Sequence, residues 1–244
     1  MPLQSYGRNS DMSGLASRLY IDFIEKNRYK YLVEGLGNTL IITLFALLIG
    51  VILGILIALV RVSYAQASKK HPIHAVLNFI CGIYLTIIRG TPMVVQLMIM
   101  YFVILTGDIS PITIAIIAFG INSGAYVAEV IRSGIQSVDR GQTEAGRSLG
   151  LSAASTMIYI VLPQAFKNVA PAIFNEFIVL LKETSVAGYV GIQDLTKGGD
   201  IIRSITYDAF PPLIAVALIY LVIVIILTRI LHYIEGRLAK SDLR

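Results

Sequence analysis

The sequence is poor in charged residues. Only 14% of its 244 residues are Asp, Glu, Lys or Arg, whereas 56% are hydrophobic, and the mean hydropathy is +0.75. Soluble domains of this length carry more charge, so the composition excludes that class and indicates an integral membrane protein. The net charge of +5 comes from segments that flank apolar runs, and it therefore does not indicate a nucleic-acid-binding protein.

Residues that carry chemistry are also scarce. The single cysteine, Cys81, excludes a disulfide within the chain. His71, His74 and His232 lack the spacing of metal ligands, so we interpret them as interface residues and expect no metal. The pattern GxxxxGK followed by Ser or Thr is absent, which excludes the usual phosphate-binding loop of ATPases. An intramembrane enzyme would need a nucleophile and base, or metal ligands, at one depth, and no such set is evident.

Long apolar runs predict five membrane spans, because a helix needs about 20 apolar residues to cross a bilayer core. The runs lie at 36–60, 73–105, 111–128, 169–181 and 213–228. The stretch "IIRGTP" interrupts the second run, which we interpret as one discontinuous span because neither half reaches a comfortable spanning length. The expected fold class is therefore all-α integral membrane, with five transmembrane helices.

Lys and Arg predict the orientation of the chain. They follow the first and last spans and surround residues 141–165, whereas the loop "TGDIS" has none. By the positive-inside rule, the N-terminus lies outside and the tail 237–244 lies in the cytoplasm. The N-terminal tail, residues 1–33, disagrees with this orientation because it contains Arg8, Arg18, Lys26, Arg28 and Lys30.

The same tail lacks the continuous apolar core of a signal peptide. Its apolar residues Leu15, Leu19, Phe23 and Ile24 recur at helical spacing, which predicts an interfacial helix. A partly disordered tail remains the alternative. We expect residues 34–236 to form the transmembrane domain.

Residues 141–165 form a polar segment between the third and fourth runs, with the pattern of two short helices and a turn. Glu144 lies near the expected start of the first helix, where a carboxylate favours the positive end of the helix dipole. Gly150 suits a left-handed position after that helix, Ser152 suits an N-cap, and Pro163 is expected to stop the second helix. The pattern alone leaves open a docking surface for a partner or a re-entrant loop packed on its own helices.

The segment contains Glu144-Ala145-Gly146, Gly150-Leu151 and "IVLP" ending at Pro163. These stretches closely resemble the EAA loop of the permease subunits of ABC importers. The segment departs from the family at Gly146, where alanine is usual. The resemblance implies coupling helices that sit in a groove of a separate cytoplasmic ATPase. It implies this coupling role for Glu144, Ala145, Gly146, Gly150, Leu151 and Pro163.

Four further stretches narrow the resemblance to permeases that import polar amino acids, of the His/Gln/Arg type. They are "GLGNTL", "RGTPMVVQL", "SGAYVAEVIRSGIQSVDRGQTEAGRSLGLS" and "LLKETS". The likeness implies a type I ABC importer fold in the bacterial cytoplasmic membrane and transport by alternating access. It implies a second permease, identical or homologous, two ATPase subunits that bind MgATP, and an extracytoplasmic amino-acid-binding protein. This chain itself would be no enzyme and hold no cofactor.

A stand-alone ion-coupled carrier is the alternative function. It would need coupling-ion sites and usually internal repeats, neither of which is evident, and it leaves residues 141–165 unexplained.

Charged and polar residues near or within the apolar runs are candidates for the substrate pathway, since a charge at mid-membrane costs roughly 2.5–3.5 kcal/mol. The candidates are Arg89, Thr91, Asn122, Tyr126, Glu176, Lys182, Glu183, Thr184 and Ser185. Thr91-Pro92 predicts a helix start beside Arg89 that suits a substrate carboxylate. Alternatively, Arg89 snorkels at the interface and Pro92 kinks a long helix.

The other candidates also have structural interpretations. Glu129 and Arg132 favour an ion pair with each other over substrate contact. Asn122 and Tyr126 suit a polar path, whereas Ser and Gly in spans, including Gly50 and Gly54, more often serve helix packing. Glu176 would favour a cationic group on the substrate. The four residues at 182–185 would instead form a salt bridge and a helix cap at an outer gate.

Overall fold

A computed structural model describes residues 12–67 and 71–239. Within these residues the chain is helical and contains no strand. The helices are α1 (Met12–Leu19), α2 (Tyr29–Gln66), α3 (Pro72–Gly90), α4 (Met93–Ile99), α5 (Pro111–Gln136), α6 (Arg140–Ser148), α7 (Ala153–Thr156), α8 (Leu162–Glu183), α9 (Leu195–Thr206) and α10 (Phe210–Ala239). Residues 1–11, with Arg8, and 240–244 of the predicted tail lie outside the described part.

The expectation of five spans is confirmed. Among the described residues, five helices are long and apolar enough to cross a membrane. They are Tyr29–Gln66, Pro72–Gly90, Pro111–Gln136, Ala153–Val190 and Phe210–Leu238. The predicted domain limits at 33/34 and 236/237 fall inside α2 and α10, because both helices continue past their apolar runs.

The interrupted second run differs from the expectation. Its first half reaches spanning length alone, because α3 begins at Pro72 and polar residues such as Asn78 do not interrupt it. The second half, Met93–Ile104, is a shorter apolar helix. The break falls at Thr91 and Pro92, both of which have extended backbone.

The expectation that Pro163 ends a short helix is wrong. Pro163 lies in the first turn of α8, and the helix continues from Ala153 to Val190. Residues Met157–Val161 form a π-helical turn, in which the N–H of Leu162 bonds to the carbonyl of Met157. Proline has no N–H to contribute, so it is tolerated where the hydrogen-bond register changes.

The centre of the molecule is the contact between α2 and α5. A Cβ built at Gly50 would lie 2.8 Å from Oγ of Ser123, and one built at Gly54 would lie 2.5 Å from Cγ1 of Val127. On α5, a Cβ at Gly124 would lie 3.0 Å from Cβ of Leu53. Small residues therefore let the two backbones approach closely, which confirms the packing interpretation of Gly50 and Gly54.

One end of the bundle is closed by α9. Asp194 caps this helix, because its Oδ1 accepts from the N–H of Lys197 (3.0 Å) and its Oδ2 from that of Thr196 (3.2 Å). Burial raises the pKa of Asp194, and these N–H donors act against that shift. Gly35 of α2 packs against the carbonyl group of Asp194, whose carbon would lie 2.8 Å from a Cβ at that position. This contact ties α9 to α2.

Gly35→Ala and Gly37→Ala form a matched pair that tests this contact. A methyl group at 35 meets backbone atoms that cannot rotate away, whereas one at 37 meets nothing within 4 Å. Overpacking costs about 1–3 kcal/mol, so we expect only Gly35→Ala to lower the melting temperature, by roughly 2–4 °C per kcal/mol. Thermal unfolding in one detergent measures both variants, and equal melting temperatures would contradict the contact.

Candidate functional site

The polar segment at 140–151 forms a capped helix that ends in a left-handed turn. Asp139 caps α6 by accepting from the N–H of Gly141 (2.6 Å). Glu144 lies in the middle of α6, so the expectation that its carboxylate stands at the positive end is wrong; Asp139 has that position. The reason is that α6 begins at Arg140, four residues before Glu144.

The turn after α6 is a Schellman motif. Gly150 has φ +87°. Its N–H donates to the carbonyl of Arg147 (3.1 Å), and the N–H of Leu151 donates to the carbonyl of Gly146 (3.2 Å). Ser152 then caps α7 by accepting from the N–H of Ser155 (3.0 Å). Both sequence expectations, a left-handed glycine and a serine cap, are confirmed.

Gly146 brings α6 against the helix that follows the turn. A Cβ at this position would lie 2.8 Å from Cδ1 of Ile160 and 2.9 Å from Cγ2 of Thr156. Glu144 and Ala145 are exposed, and Leu149 is 84% exposed. The segment therefore presents an outward surface that includes an apolar side chain. Leu149 was missed in the sequence, although an apolar residue beside a turn glycine is a usable signal.

Arg89, at the end of α3, meets the middle of α5. Its Cζ lies 5.7 Å from the centroid of the Tyr126 ring, and its Nη1 lies 3.9 Å from Oε2 of Glu129. Arg132 donates to both carboxylate oxygens of Glu129, with Nε at 2.9 Å from Oε2. The expected pair of Glu129 and Arg132 is confirmed, and Glu129 also bridges α5 to α3.

Gln96 joins the helix break to α5. The expectation that Thr91 caps α4 is wrong, because its hydroxyl donates back to the carbonyl of Ile87 in α3 (2.8 Å). The last carbonyls of a helix have no partner within the helix, and Thr91 supplies one of them with a donor where α3 ends. Gln96 Nε2 donates to Oγ1 of Thr91 (2.8 Å), and its Oε1 accepts from Nδ2 of Asn122 (2.9 Å). The sequence signal for Gln96 is its amide within an otherwise apolar stretch.

The remaining candidates lie on α8 and, for Thr184 and Ser185, in the helical turn that follows it. Glu176 accepts from the hydroxyl of Ser123 (3.1 Å), beside the contact of α5 with α2. Thr184 is buried and donates to the carbonyl of Leu181 (2.7 Å), as expected of a helix cap. Ser185 lines a cavity of about 340 Å³ beside Asp194. The nine pathway candidates therefore form no single cluster, because α8 carries the last four to the end that α9 closes.

Arg61 is a functional candidate that the sequence analysis did not single out. It extends from the end of α2 and donates to Oδ1 of Asn78 on α3 (3.2 Å). Three cavities, of about 770, 440 and 410 Å³, share Arg61 in their lining. We refer to the first two together as the crevice; Arg140 of α6 lines the first and Arg89 of α3 lines the second.

Comparison with known proteins agrees with this architecture. Residues 50–240 match the family described as binding-protein-dependent transport system inner membrane component. The arginine transport system permease protein of Bacillus subtilis is 39% identical over 215 residues, which cover 87% of this chain and 94% of that protein. A putative glutamine transport system permease protein of Rickettsia bellii is 38% identical, with 86% of this chain and 94% of that protein covered.

A solved structure of an amino acid ABC transporter with histidines is also similar. Its matching chain is 38% identical and superposes with a TM-score of 0.79, over 94% of this chain and 99% of that chain. The described part of the chain is helical, with five candidate spans, and the family match identifies the chain as a transport permease subunit and not an enzyme. The chain belongs to the family of binding-protein-dependent transport system inner membrane components. It is therefore a multi-pass inner-membrane protein, and its family implies an ATPase and a binding protein as partners.

A double-mutant cycle on Glu129 and Arg132 tests the charge arrangement on α5. Glu129→Gln leaves Arg89 and Arg132 without their shared carboxylate, so we expect it to lower the melting temperature more than Arg132→Gln does. Both side chains are about 30% exposed, so solvent limits the effect to a few degrees. The double variant should be more stable than the sum of the single losses predicts. Additive losses would show that the pair has no coupling energy.

Proposed function

We propose that this chain is the permease subunit of an ATP-driven importer that moves polar amino acids across the cytoplasmic membrane. It pairs with an identical or homologous permease, two ATPase subunits that bind MgATP, and an extracytoplasmic amino-acid-binding protein. The similarity to the arginine and putative glutamine transport permeases supports this substrate class. The N-terminus lies outside, and residues 141–165 and the C-terminus lie in the cytoplasm.

The observation that carries the proposal is the continuous path from α6 into α8. Gly146 seats α6 against Thr156 and Ile160, and the helix that contains both residues continues to Val190. A docked ATPase that displaces α6 would therefore tilt a helix that crosses the membrane. The coupling segment also includes Glu144, Ala145, Gly150, Leu151 and Pro163. Leu149 is exposed beside them.

The substrate pathway follows the polar face of α5. Asn122, Tyr126 and Glu129 succeed one another at helical spacing, and Thr91 and Arg89 approach them from the break after α3. Glu176 of α8 lies beside Ser123, on the adjoining face of α5. Residues 182–185 (Lys182, Glu183, Thr184 and Ser185) shape an outer gate at the end near α9. Tilting of α8 would alternate access between this gate and the cytoplasmic end.

A mild-detergent pull-down from the native membrane tests the assembly, with the retained proteins identified by mass spectrometry. We expect an ATPase subunit and a permease to be retained with the tagged chain. Uptake of a labelled amino acid into proteoliposomes should then require MgATP and the binding protein. Uptake by the chain without an ATPase would instead establish the stand-alone carrier.

Gly150→Asp tests the coupling turn, with Gly150→Asn as its isosteric control. Nothing lies within 4 Å of a Cβ at this position, and both residues tolerate left-handed backbone better than most. The two variants thus differ mainly by one negative charge on the docking surface. We expect the aspartate to reduce ATP-driven uptake at least about tenfold, as loss of roughly 1.4 kcal/mol of docking energy would, with normal membrane insertion.

Retention of the ATPase in the same pull-down locates the defect. It should fall for Gly150→Asp and stay near wild type for Gly150→Asn. Normal ATP-driven uptake by the aspartate variant would contradict the coupling role of this turn.

Asn122→Leu tests the pathway independently of coupling. It replaces a polar side chain with an apolar one of similar size. The Oε1 of Gln96 then loses the hydrogen bond that it accepts from Nδ2 of Asn122. We expect uptake to fall while ATPase retention stays at the wild-type level. Leu218→Ile, at an exposed apolar position of α10, is the control for a conservative change in a span. Undiminished uptake by Asn122→Leu would remove Asn122 from the pathway.

A further inference from the structure

Arginine side chains are frequent in the lining of the crevice, and Arg61 lies between its two parts. Its larger part is bounded by the ends of α2 and α5, by α6 and by the π-helical turn. Among the described residues, the lining of both parts contains four arginines and one carboxylate. These are Arg61, Arg89, Arg132, Arg140 and Glu129. Three positive charges are therefore left without a lining carboxylate.

The bonds within the crevice do not remove this excess. Glu129 receives two hydrogen bonds from Arg132 and lies 3.9 Å from Arg89. Arg61 donates to the neutral amide oxygen of Asn78 (3.2 Å). No ion pair in the described part of the chain includes Arg61 or Arg140. Arg61 and Arg132 are half-buried and Arg140 is exposed, and neighbouring guanidinium groups are stabilised when an anion lies between them.

The depth of Arg61 indicates where such an anion comes from. Residues 35–60 of α2 contain no charge, and Arg61 is the first charged residue after them. At 1.5 Å per residue this stretch is about 39 Å long, enough to cross a hydrocarbon core of roughly 30 Å. Arg61 therefore lies near the level of the lipid phosphates, where basic pockets between helices bind anionic headgroups.

The remaining lining suits a phosphate that carries an organic group. Val62, Ile135, Val138 and Met157 provide an apolar wall beside the guanidinium groups. The volume of about 770 Å³ has room for a headgroup and for the first part of its chains. Arg140 and Thr143 place α6 on one side of the same space.

We propose that this crevice binds a phosphate-bearing anion between Arg61, Arg132 and Arg140, and that the bound anion holds α6 against the ends of α2 and α5. An anionic phospholipid headgroup and free inorganic phosphate share this chemistry. Either would join the coupling segment to two spans through charge-assisted hydrogen bonds.

Lipid binding to the intact, delipidated transporter complex tests this site. Native mass spectrometry and thermal unfolding would be measured with short-chain phosphatidylglycerol, with phosphatidylcholine and with inorganic phosphate. We expect phosphatidylglycerol at ten times its Kd to raise the melting temperature by about 3–5 °C and phosphatidylcholine to have little effect. Stabilisation by inorganic phosphate alone, with displacement of the lipid, would identify free phosphate as the anion.

Arg61→Gln and Arg140→Gln are the test variants, and Arg229→Gln on α10 is the control with the same change of charge. Arg140 is exposed, so its variant should fold even if Arg61→Gln does not. We expect each test variant to bind phosphatidylglycerol at least about tenfold more weakly, as the loss of one charge-assisted hydrogen bond predicts, and the control to match wild type.

Two results would overturn the proposal. The first is equal phosphatidylglycerol binding by wild type, both test variants and the control. The second is displacement of the lipid by an amino acid but not by phosphate, which would assign the crevice to the substrate pathway. Neither readout depends on uptake, so failure here leaves the transport proposal to its own test.

Discussion

The close approach of α2 and α5 is the constraint on which the other contacts depend. Because Gly50 has no side chain, Ser123 fits against α2 while its hydroxyl reaches Glu176 of α8. The same approach fixes the rotation of α5. Asn122, one residue from Ser123, then points to Gln96 and the helix break, and Glu129, two turns further on, points to Arg89. Two glycines on α2 thus determine which side of α5 is packed and which side is polar.

The connection from α6 to α8 shows how a helix can contain a proline and still transmit movement. A proline inside a regular α-helix would remove one hydrogen bond and clash with the preceding turn. The π-helical turn at Met157–Val161 places Pro163 in the first turn of a new register instead. Pro171 lies inside α8, and the backbone nevertheless stays helical from Ala153 to Val190. A hinge at this point would absorb the movement of α6, whereas a continuous helix passes it on.

The features that the sequence predicted well are those that depend on a residue and its near neighbours. The apolar runs, the left-handed Gly150 and the Ser152 cap belong to this group, because length, backbone freedom and local hydrogen bonding determine them. The sequence failed where an interaction joins distant elements. Gln96 contacts Asn122 only because α4 restarts beside α5, and Arg61 reaches Asn78 only because α2 and α3 are adjacent. Periodicity cannot supply such relative rotations.

The polar side of the chain argues for a partner within the membrane. None of the described side chains of α3 is buried, Arg89 is 43% exposed, and Tyr126 is 36% exposed. A guanidinium group in contact with hydrocarbon would be costly, so this face needs water or protein beside it. A carrier that worked alone would enclose such groups between its own helices, whereas this chain leaves them on an open side. The arrangement therefore favours one half of a pathway, which a second permease completes, and this is the pairing that the proposed transporter requires.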